Sequence, residues 1–537
     1  MMRSLRENHT EYYNKKISRA KTVVLVISIL LSVFAVYFNS IDNPFLFDDD
    51  ILVKNNPLIR SILNLPVFFK TDIFSHSSGE SPVSNSYRPL QTLTYSIDYS
   101  LWGTAPSGYH LTNVLLHLCN VFLVFLLVQK LLNDRFISCF AALMFGVNPV
   151  NTACVAYISG RADIMVCLFM LVSLLFFISG CPGAAGGLRR KNAAFIVSAC
   201  AYFLAMLSKE YAIAALPLMI SVYCLVFCRK KTAGPGIYVP YAAAALLYLT
   251  LRTAAFSGIS SRELELASLG AFPRIFTAIK TVFLDIRIIF IPYDLHFGRT
   301  TSVEYSLFGS TYAVLTVTGV ILTAFILGKA YRAWTRERND AGGGLFFGLS
   351  WFFGSMLPLL NIYPLQVFHA DNWLYFSSIG IYITAGVFIR WVSGQLLKKD
   401  IIRKSIVAMI VLSMALVYGA ATVKRNKDYS DPILFCLSSV KWRPNVKFYR
   451  LLGALYGQRG DYEKSAEYSR KAVEVNRTYP SPDVYGAYFD LGITYARLGR
   501  YQESADSFKK AMMSKNTVLR EKARRQLQML RKQRRLP

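Results

Sequence analysis

Three consecutive carboxylates, Asp48, Asp49 and Asp50, stand in the stretch FLFDDDILVKN, shortly after an apolar run at residues 23–38. SYRPL at 86–90, YHLTNVLLH at 109–117 and SGRAD at 159–163 also set charged or imidazole side chains near the ends of apolar runs. A charge at a boundary between lipid and water must be solvated, paired or used, so each cluster is a functional candidate. Used carboxylates accept protons or hold cations. Solvated loop ends would explain any one cluster, but the set as a whole calls for a shared purpose. Zinc is not expected, because no His and Cys residues fall at zinc-ligand spacing. Adjacent aspartates alone are a weak pattern for magnesium or manganese, so a metal-independent site is expected.

These groups need a scaffold, and composition indicates its kind. The 537 residues are 53% hydrophobic, 14% aromatic and only 17% charged, which describes a chain dissolved in lipid. The net charge of +28 does not point to nucleic acid, because Lys and Arg gather in short clusters beside apolar runs, as cytoplasmic loops of membrane proteins do. Cys119, Cys139, Cys154, Cys167, Cys200, Cys224 and Cys228 lie in or beside apolar segments and read as small core residues. About twenty polar and basic residues precede the first apolar run, and no small-residue cleavage site follows it, so this run is expected to stay as an anchor.

Apolar segments recur at 23–38, 115–132, 136–150, 164–178, 193–207, 212–227, 238–251, 272–291, 312–327, 345–360, 374–389 and 406–423. Basic clusters at 1–21, 189–191, 229–231, 329–338 and 390–404 should face the cytoplasm. Alternation then sends 42–110, 157–163, 208–211 and 361–373 to the outer side. This holds only if 272–291, interrupted by Arg274, Lys280, Asp285 and Arg287, is re-entrant or lies in the interface. About eleven spans remain, an odd number that puts the tail opposite the N-terminus. The expected layout is an all-α polytopic membrane domain at 23–423 with an outer loop at 41–114, a cytoplasmic arm at 1–22 and an outer soluble domain at 424–537.

That tail is repetitive. Gly453 and Gly492, Gly460 and Gly499, Tyr462 and Tyr501, and Ala472 and Ala511 are each 39 residues apart, the pattern of paired helical hairpins in an α-solenoid. The pattern resembles the tetratricopeptide repeat, with a period of about 34 residues lengthened by the linker at 480–482 and with Ser465 and Ser504 where alanine is usual. Residues 430–444 offer a further helix, and 519–536 read as a basic capping helix. Buttressing the membrane part and binding peptide are equally good uses for such repeats.

An ordered series of motifs runs along the chain: Phe47, Asp48, Asp49, Ile51 and Asn55; YRPL at 87–90 with Leu93 and Thr94; YHLTNVLLH at 109–117; NPV at 148–150; GRAD at 160–163; LSKE at 207–210; and the segment from Trp351 to Asn361. In combination with the repeats this series resembles the transmembrane and tetratricopeptide-repeat O-mannosyltransferases, membrane glycosyltransferases of the GT-C fold. One motif departs: where that family carries an acid followed by arginine, this chain has Asp371 and Asn372.

The resemblance implies transfer of a sugar, mannose by family habit, from a polyprenyl phosphate to Ser or Thr hydroxyls of a protein on the outer side. A hydroxyl nucleophile needs a carboxylate to take its proton, and the resemblance puts Asp48 in that role with Asp49 orienting it. The departing phosphate needs fixed cations, for which Arg88, Arg161, Lys209 and Arg252 are the candidates, with Arg299 further off and His110 touching phosphate or sugar. Asp163, Glu210 and Asp371 are then candidate acceptor or sugar contacts. Arg161 with Asp163 and Lys209 with Glu210 are the ion pairs that sequence proximity suggests instead. His117, seven residues after His110, reads as a core residue bonded between helices. Expected partners are the lipid-linked donor, a protein acceptor docked on the repeats, and membrane lipid. The expected location is a bacterial cytoplasmic membrane with periplasmic site and repeats, or the endoplasmic reticulum in a eukaryote. A transporter or flippase of a lipid-linked sugar is the alternative, and would show symmetric halves with broken helices. A membrane-anchored scaffold would account for the repeats alone.

Overall fold

The structure, a computed structural model, describes residues 2–75, 86–181, 187–227, 235–255, 269–299, 303–305, 319, 325–326, 328–329, 331–332, 340–361, 369–396, 399–478 and 481–532. Most of the segments 312–327 and 329–338, all of 229–231, Cys228 and Pro480 lie outside the described residues. Among the described residues every regular element is helical. The chain divides into two compact units: one of Met1–Leu295 and Thr301–Asn426, the other of His296–Thr300 and Lys427–Pro537.

Among the described residues of the first unit seven helical segments are long and apolar enough to cross a membrane: Ala20–Ser40, Pro106–Leu132, Ile158–Gly180, Arg189–Ser208, Gly342–Leu359, Asp371–Gln395 and Ile401–Tyr429, whose last three residues already belong to the second unit. Arg135–Val147 and Pro149–Val155, bent by 48° at Asn148, make an eighth if taken as one span. The bend has a local cause. Pro149 has no N–H to continue the helix, while the Asn148 side chain accepts from Val150 N–H at 3.0 Å and donates to the Ile289 carbonyl at 2.9 Å. Ala212–Phe227 and Val239–Ala255, at 16 and 17 residues, are helical but short for the hydrocarbon core. The helix Ala271–Phe290 is not among the candidate spans and buries Lys280 and Asp285.

The helix Pro106–Leu132 organises this unit. His110, Asn113, His117 and Asn120, three or four apart, form a buried polar stripe along one face. His117 Nδ1 lies 2.6 Å from the Tyr375 hydroxyl and Nε2 lies 3.1 Å from the Gly146 carbonyl, so it bonds two neighbouring helices, as expected. Asn120 donates to the Ile164 carbonyl at 2.9 Å and to Tyr375 Oη at 3.2 Å. Each bond satisfies a side chain that would be costly to leave unpaired in an apolar interior.

The second unit holds two helical hairpins, Val446–Gln458 with Tyr462–Val475 and Val484–Arg497 with Tyr501–Ala511. Pro432–Trp442 precedes them, where a further helix was expected, and Thr517–Lys532 buries Ala523, Leu527 and Leu530 against Phe508 and its neighbours as the cap. Gly460 and Gly499 end the first helix of each hairpin at φ +82° and +75°, a conformation few other residues accept. Ser465 and Ser504 are buried, and both hydroxyls find partners: Ser465 with Thr494 Oγ1 at 2.8 Å, Ser504 with the Gly492 carbonyl at 2.6 Å. Serine in place of alanine therefore adds two internal bonds between helices.

Candidate active site

The acidic run is set by a tight turn. Phe47 sits at φ +50°, a left-handed conformation that costs a residue with a Cβ roughly 1–2 kcal/mol. The turn is closed reciprocally: Asp49 N–H donates to the Leu46 carbonyl at 2.8 Å, and Leu46 N–H donates to Asp49 Oδ2 at 3.1 Å. This fixes the two aspartates in different surroundings. Asp49 is fully buried, and its Oδ1 accepts from Ser159 N–H at 2.8 Å and from the Ser159 hydroxyl. Burial pushes the Asp49 carboxyl up to about 7; the bonds from Ser159 and Leu46 oppose the rise, and the neighbouring Asp48 charge adds to it. Asp48 remains partly open, and Asp50 is half-exposed beside Lys54 at 3.4 Å.

The other half of the site is the segment Tyr157 to Asp163, in which alternate residues reach different partners. The Tyr157 hydroxyl accepts Asp48 N–H at 3.1 Å and donates to the Asp48 carboxylate. Ser159 grips Asp49. Arg161 is wholly buried: it pairs with Asp98 at 2.6 Å, and it donates to Asn113 Oδ1 at 2.7 Å, Thr94 Oγ1 at 3.3 Å and the Tyr109 carbonyl at 3.0 Å. Its guanidinium also lies over the Tyr95 ring, 4.8 Å from the centroid. Burial pushes the Asp98 carboxyl up, while Arg161 and Thr112 pull it down. Gly160 lets the segment pass close to the short helix Thr152–Val155; a Cβ there would lie 2.7 Å from backbone atoms of Ala153 and Cys154.

Asp163, in the first turn of Arg161–Gly180, receives Lys209 Nζ at 2.6 and 2.8 Å and Asn372 Nδ2 at 2.8 Å. The next residue, Glu210, accepts Tyr87 N–H at 2.9 Å and lies 3.5 Å from Arg88 Nε and 3.9 Å from Arg252 Nη1. Gln91, on the helix that Arg88 precedes, donates to the Ser159 carbonyl at 3.0 Å, which ties this corner back to the aspartates.

Asp48, Asp49 and Arg161 are thus joined by hydrogen bonds through Tyr157, Asn113, Ser159 and Gln91, while Asp163 with Lys209, and Glu210 with Arg88 and Arg252, form two further groups adjoining them along the chain. The ion pairs are not those that sequence proximity suggests: Arg161 takes Asp98 rather than Asp163, and Lys209 takes Asp163 rather than Glu210. Arg161 and Lys209, candidates for phosphate contacts, are buried in these pairs, where each neutralises a buried carboxylate. Of the described candidate cations in these pairs, Arg88 and Arg252 are the more open, each keeping 22% of its side-chain surface. His110 is buried beneath the backbone of Asn43 and Pro44. Asp371 is buried at the start of a short helix, and its neighbour Asn372 makes the bond to Asp163. Arg299 falls in the second unit. Tyr157 and Asp98 join the site although they stand in no motif, and Ser159 and Asn113 join it from within SGRAD and YHLTNVLLH without having been given a role; the alternation of polar groups at 157, 159, 161 and 163 was the available signal. Among the described residues no group of three or more His, Cys, Asp or Glu is placed to hold a metal ion.

A helical, many-spanned integral membrane chain, with acids and arginines drawn together by its inter-helix loops and a helical-repeat unit after its spans, is the class that fold and site define. Over most of its length this chain is similar to the transmembrane and tetratricopeptide-repeat protein O-mannosyl-transferases. It is 24% identical to Protein O-mannosyl-transferase F38B6.6 of Caenorhabditis elegans, over 85% of this chain and 63% of that protein. It is 25% identical to Protein O-mannosyl-transferase TMTC3 of Mus musculus, over 88% of this chain and 52% of that protein. Identity rises to 34% with Protein O-mannosyl-transferase TMTC2 of Homo sapiens, over 38% of this chain and 24% of that protein. The chain thus spans less than two thirds of the length of these relatives. Residues 447–512 match the tetratricopeptide repeat family. Among solved structures, ArnT from Cupriavidus metallidurans bound to undecaprenyl phosphate aligns at 15% identity and a TM-score of 0.39, covering 92% of this chain and 81% of that one. The apo Archaeoglobus fulgidus oligosaccharyltransferase aligns at 12% identity and a TM-score of 0.41, covering 83% and 59%.

Proposed function

We propose that this chain is a protein O-glycosyltransferase of the GT-C type, moving mannose from a polyprenyl phosphate to Ser or Thr hydroxyls of a protein. The observation that carries the reading is the division between the two aspartates: Asp49 is sealed and anchored by Ser159, while Asp48 is partly open and within reach of a ligand. The printed names of the relatives support the reaction class. In the proposed step the acceptor hydroxyl gives its proton to Asp48 as its oxygen bonds to the anomeric carbon. The bond from that carbon to the phosphate oxygen breaks with inversion, and its electron pair leaves on the phosphate, whose charge Arg88 and Arg252 offset. Glu210 holds those two arginines together, and no metal is assigned a part. His110 and Asp371 lie too deep to meet substrate without movement and serve the walls of the site. We place the site and the repeats on the outer, periplasmic or lumenal, side, with the acceptor protein docking on the repeats.

Asp48→Asn tests the reading. It keeps size and hydrogen bonding but cannot take the proton, so transfer from polyprenyl-phosphate mannose to a Ser/Thr-rich peptide should fall about a hundredfold or more. Unchanged transfer at matched expression would remove Asp48 from the step.

A further inference from the structure

We infer that Tyr157 is a positioning residue for this reaction, holding Asp48 at both its backbone and its carboxylate. The inference rests on the assignment of Asp48 as the base. A carboxylate on a partly open loop turns freely about two side-chain bonds, and a base that turns is a poor one, because proton transfer requires its lone pair within hydrogen-bond reach of the acceptor. One phenol removes that freedom. Its oxygen accepts Asp48 N–H at 3.1 Å, and its hydroxyl is a hydrogen-bonding partner for the carboxylate of the same residue. The phenol is itself fixed: Tyr157 is 4% exposed, its carbonyl accepts from Asn113 Nδ2 at 3.1 Å, and Ser159 two residues on is clamped by Asp49. Burial pushes the Tyr157 hydroxyl far above the ordinary phenol range, so it stays protonated and remains a donor.

Tyr157→Phe removes the hydroxyl and keeps the ring, so the packing of the segment survives. With polyprenyl-phosphate mannose and a Ser/Thr-rich peptide, kcat should fall about tenfold while KM for donor and peptide stays within about twofold. The deciding measurement is the double variant. In an Asp48→Asn background there is no base to position, so adding Tyr157→Phe should cost little further rate. A general loss of folded protein would lower both backgrounds by the same factor, so equal losses in the two would overturn the inference, as would a rise in KM at unchanged kcat. If Asp48→Asn alone transfers normally, the base assignment falls and this inference with it. If Asp48→Asn is inactive but Tyr157→Phe is normal, only the inference falls.

Discussion

Lys209 Nζ lies 2.6 and 2.8 Å from the two carboxylate oxygens of Asp163, and both side chains are almost entirely buried. The pair joins the loop after Arg189–Ser208 to the first turn of Arg161–Gly180, and Asn372 completes the carboxylate's shell. Removing one partner strands the other charge away from water. Lys209→Met should therefore destabilise the membrane unit by about 3–5 kcal/mol, read as a drop in apparent melting temperature in detergent. Lys209→Met combined with Asp163→Leu should melt above the Lys209→Met single variant. A single variant as stable as the parent would mean that water reaches Asp163.

Asp49 makes stability depend on pH in a direction opposite to that of an ordinary salt-bridged acid. Its carboxyl is held at about 7 in the fold, against 3.8 when exposed. Between those values the folded chain keeps a proton that the unfolded chain has lost, so this contribution is full below about pH 4 and is lost as pH rises to about 7, at about 1.4 kcal/mol per unit. Asp49→Asn has no such proton. Relative to the variant, the parent should lose melting temperature from about pH 4 to about pH 7 and then level off. A constant difference across that range would show that Asp49 titrates where exposed acids do.

Arg88 and Arg252 both lean on Glu210 and share one proposed task, so their effects should not add. Arg88→Ala and Arg252→Ala should each lower kcat/KM for polyprenyl-phosphate mannose by about ten- to a hundredfold, and the double variant by less than the product. Kinetics at saturating peptide would settle this. Parent-like rates in both single variants would move the phosphate elsewhere.

In the repeats, an added methyl at Gly492 would lie 2.5 Å from the Phe508 ring, buried in the second hairpin. Gly492→Ala should destabilise this unit by about 1–3 kcal/mol, measured as faster limited proteolysis between 481 and 532. Phe508→Leu should recover part of the loss. Unchanged cleavage would mean that the two helices slide apart freely.

The proposed sidedness is tested by chemistry from outside. A cysteine at Ser481 should react with an impermeant thiol reagent in intact cells or sealed lumen-out vesicles, and one at Arg190 should not, each in a background free of the native thiols. The reverse labelling would invert the arrangement.

The elements were legible because hydrophobic periodicity is local. Helices cover all the described apolar segments, and the spacing of 39 between Gly453 and Gly492 gave the hairpins without any contact being known. The site was legible as a set of clusters but not as a wiring diagram. Which carboxylate meets Arg161 depends on how Pro89–Trp102 packs beside Pro106–Leu132, and this brings up Asp98, a residue within no motif. Tyr157 escaped notice for a similar reason: its hydroxyl meets Asp48, more than a hundred residues away in the sequence, and nothing local to it says so. Asn372 stood out as a departure, and its amide still finds Asp163.

The grip of residues 157–163 on Asp48, Asp49 and Asp98 sets an order of events during synthesis. The acids leave the ribosome more than a hundred residues before Ser159, and about sixty before Arg161 in the case of Asp98. Until those later residues emerge, the nascent loop has neither Ser159 to hold Asp49 nor Arg161 to neutralise Asp98, and burying either acid is unfavourable. The loop can thus bury these acids only once residues 157–161 have been made, which ties its closure to the start of Arg161–Gly180. A chain stalled after residue 150 should be cleaved by protease at 46–50 and 91–98, and one stalled well past residue 180 should resist cleavage there.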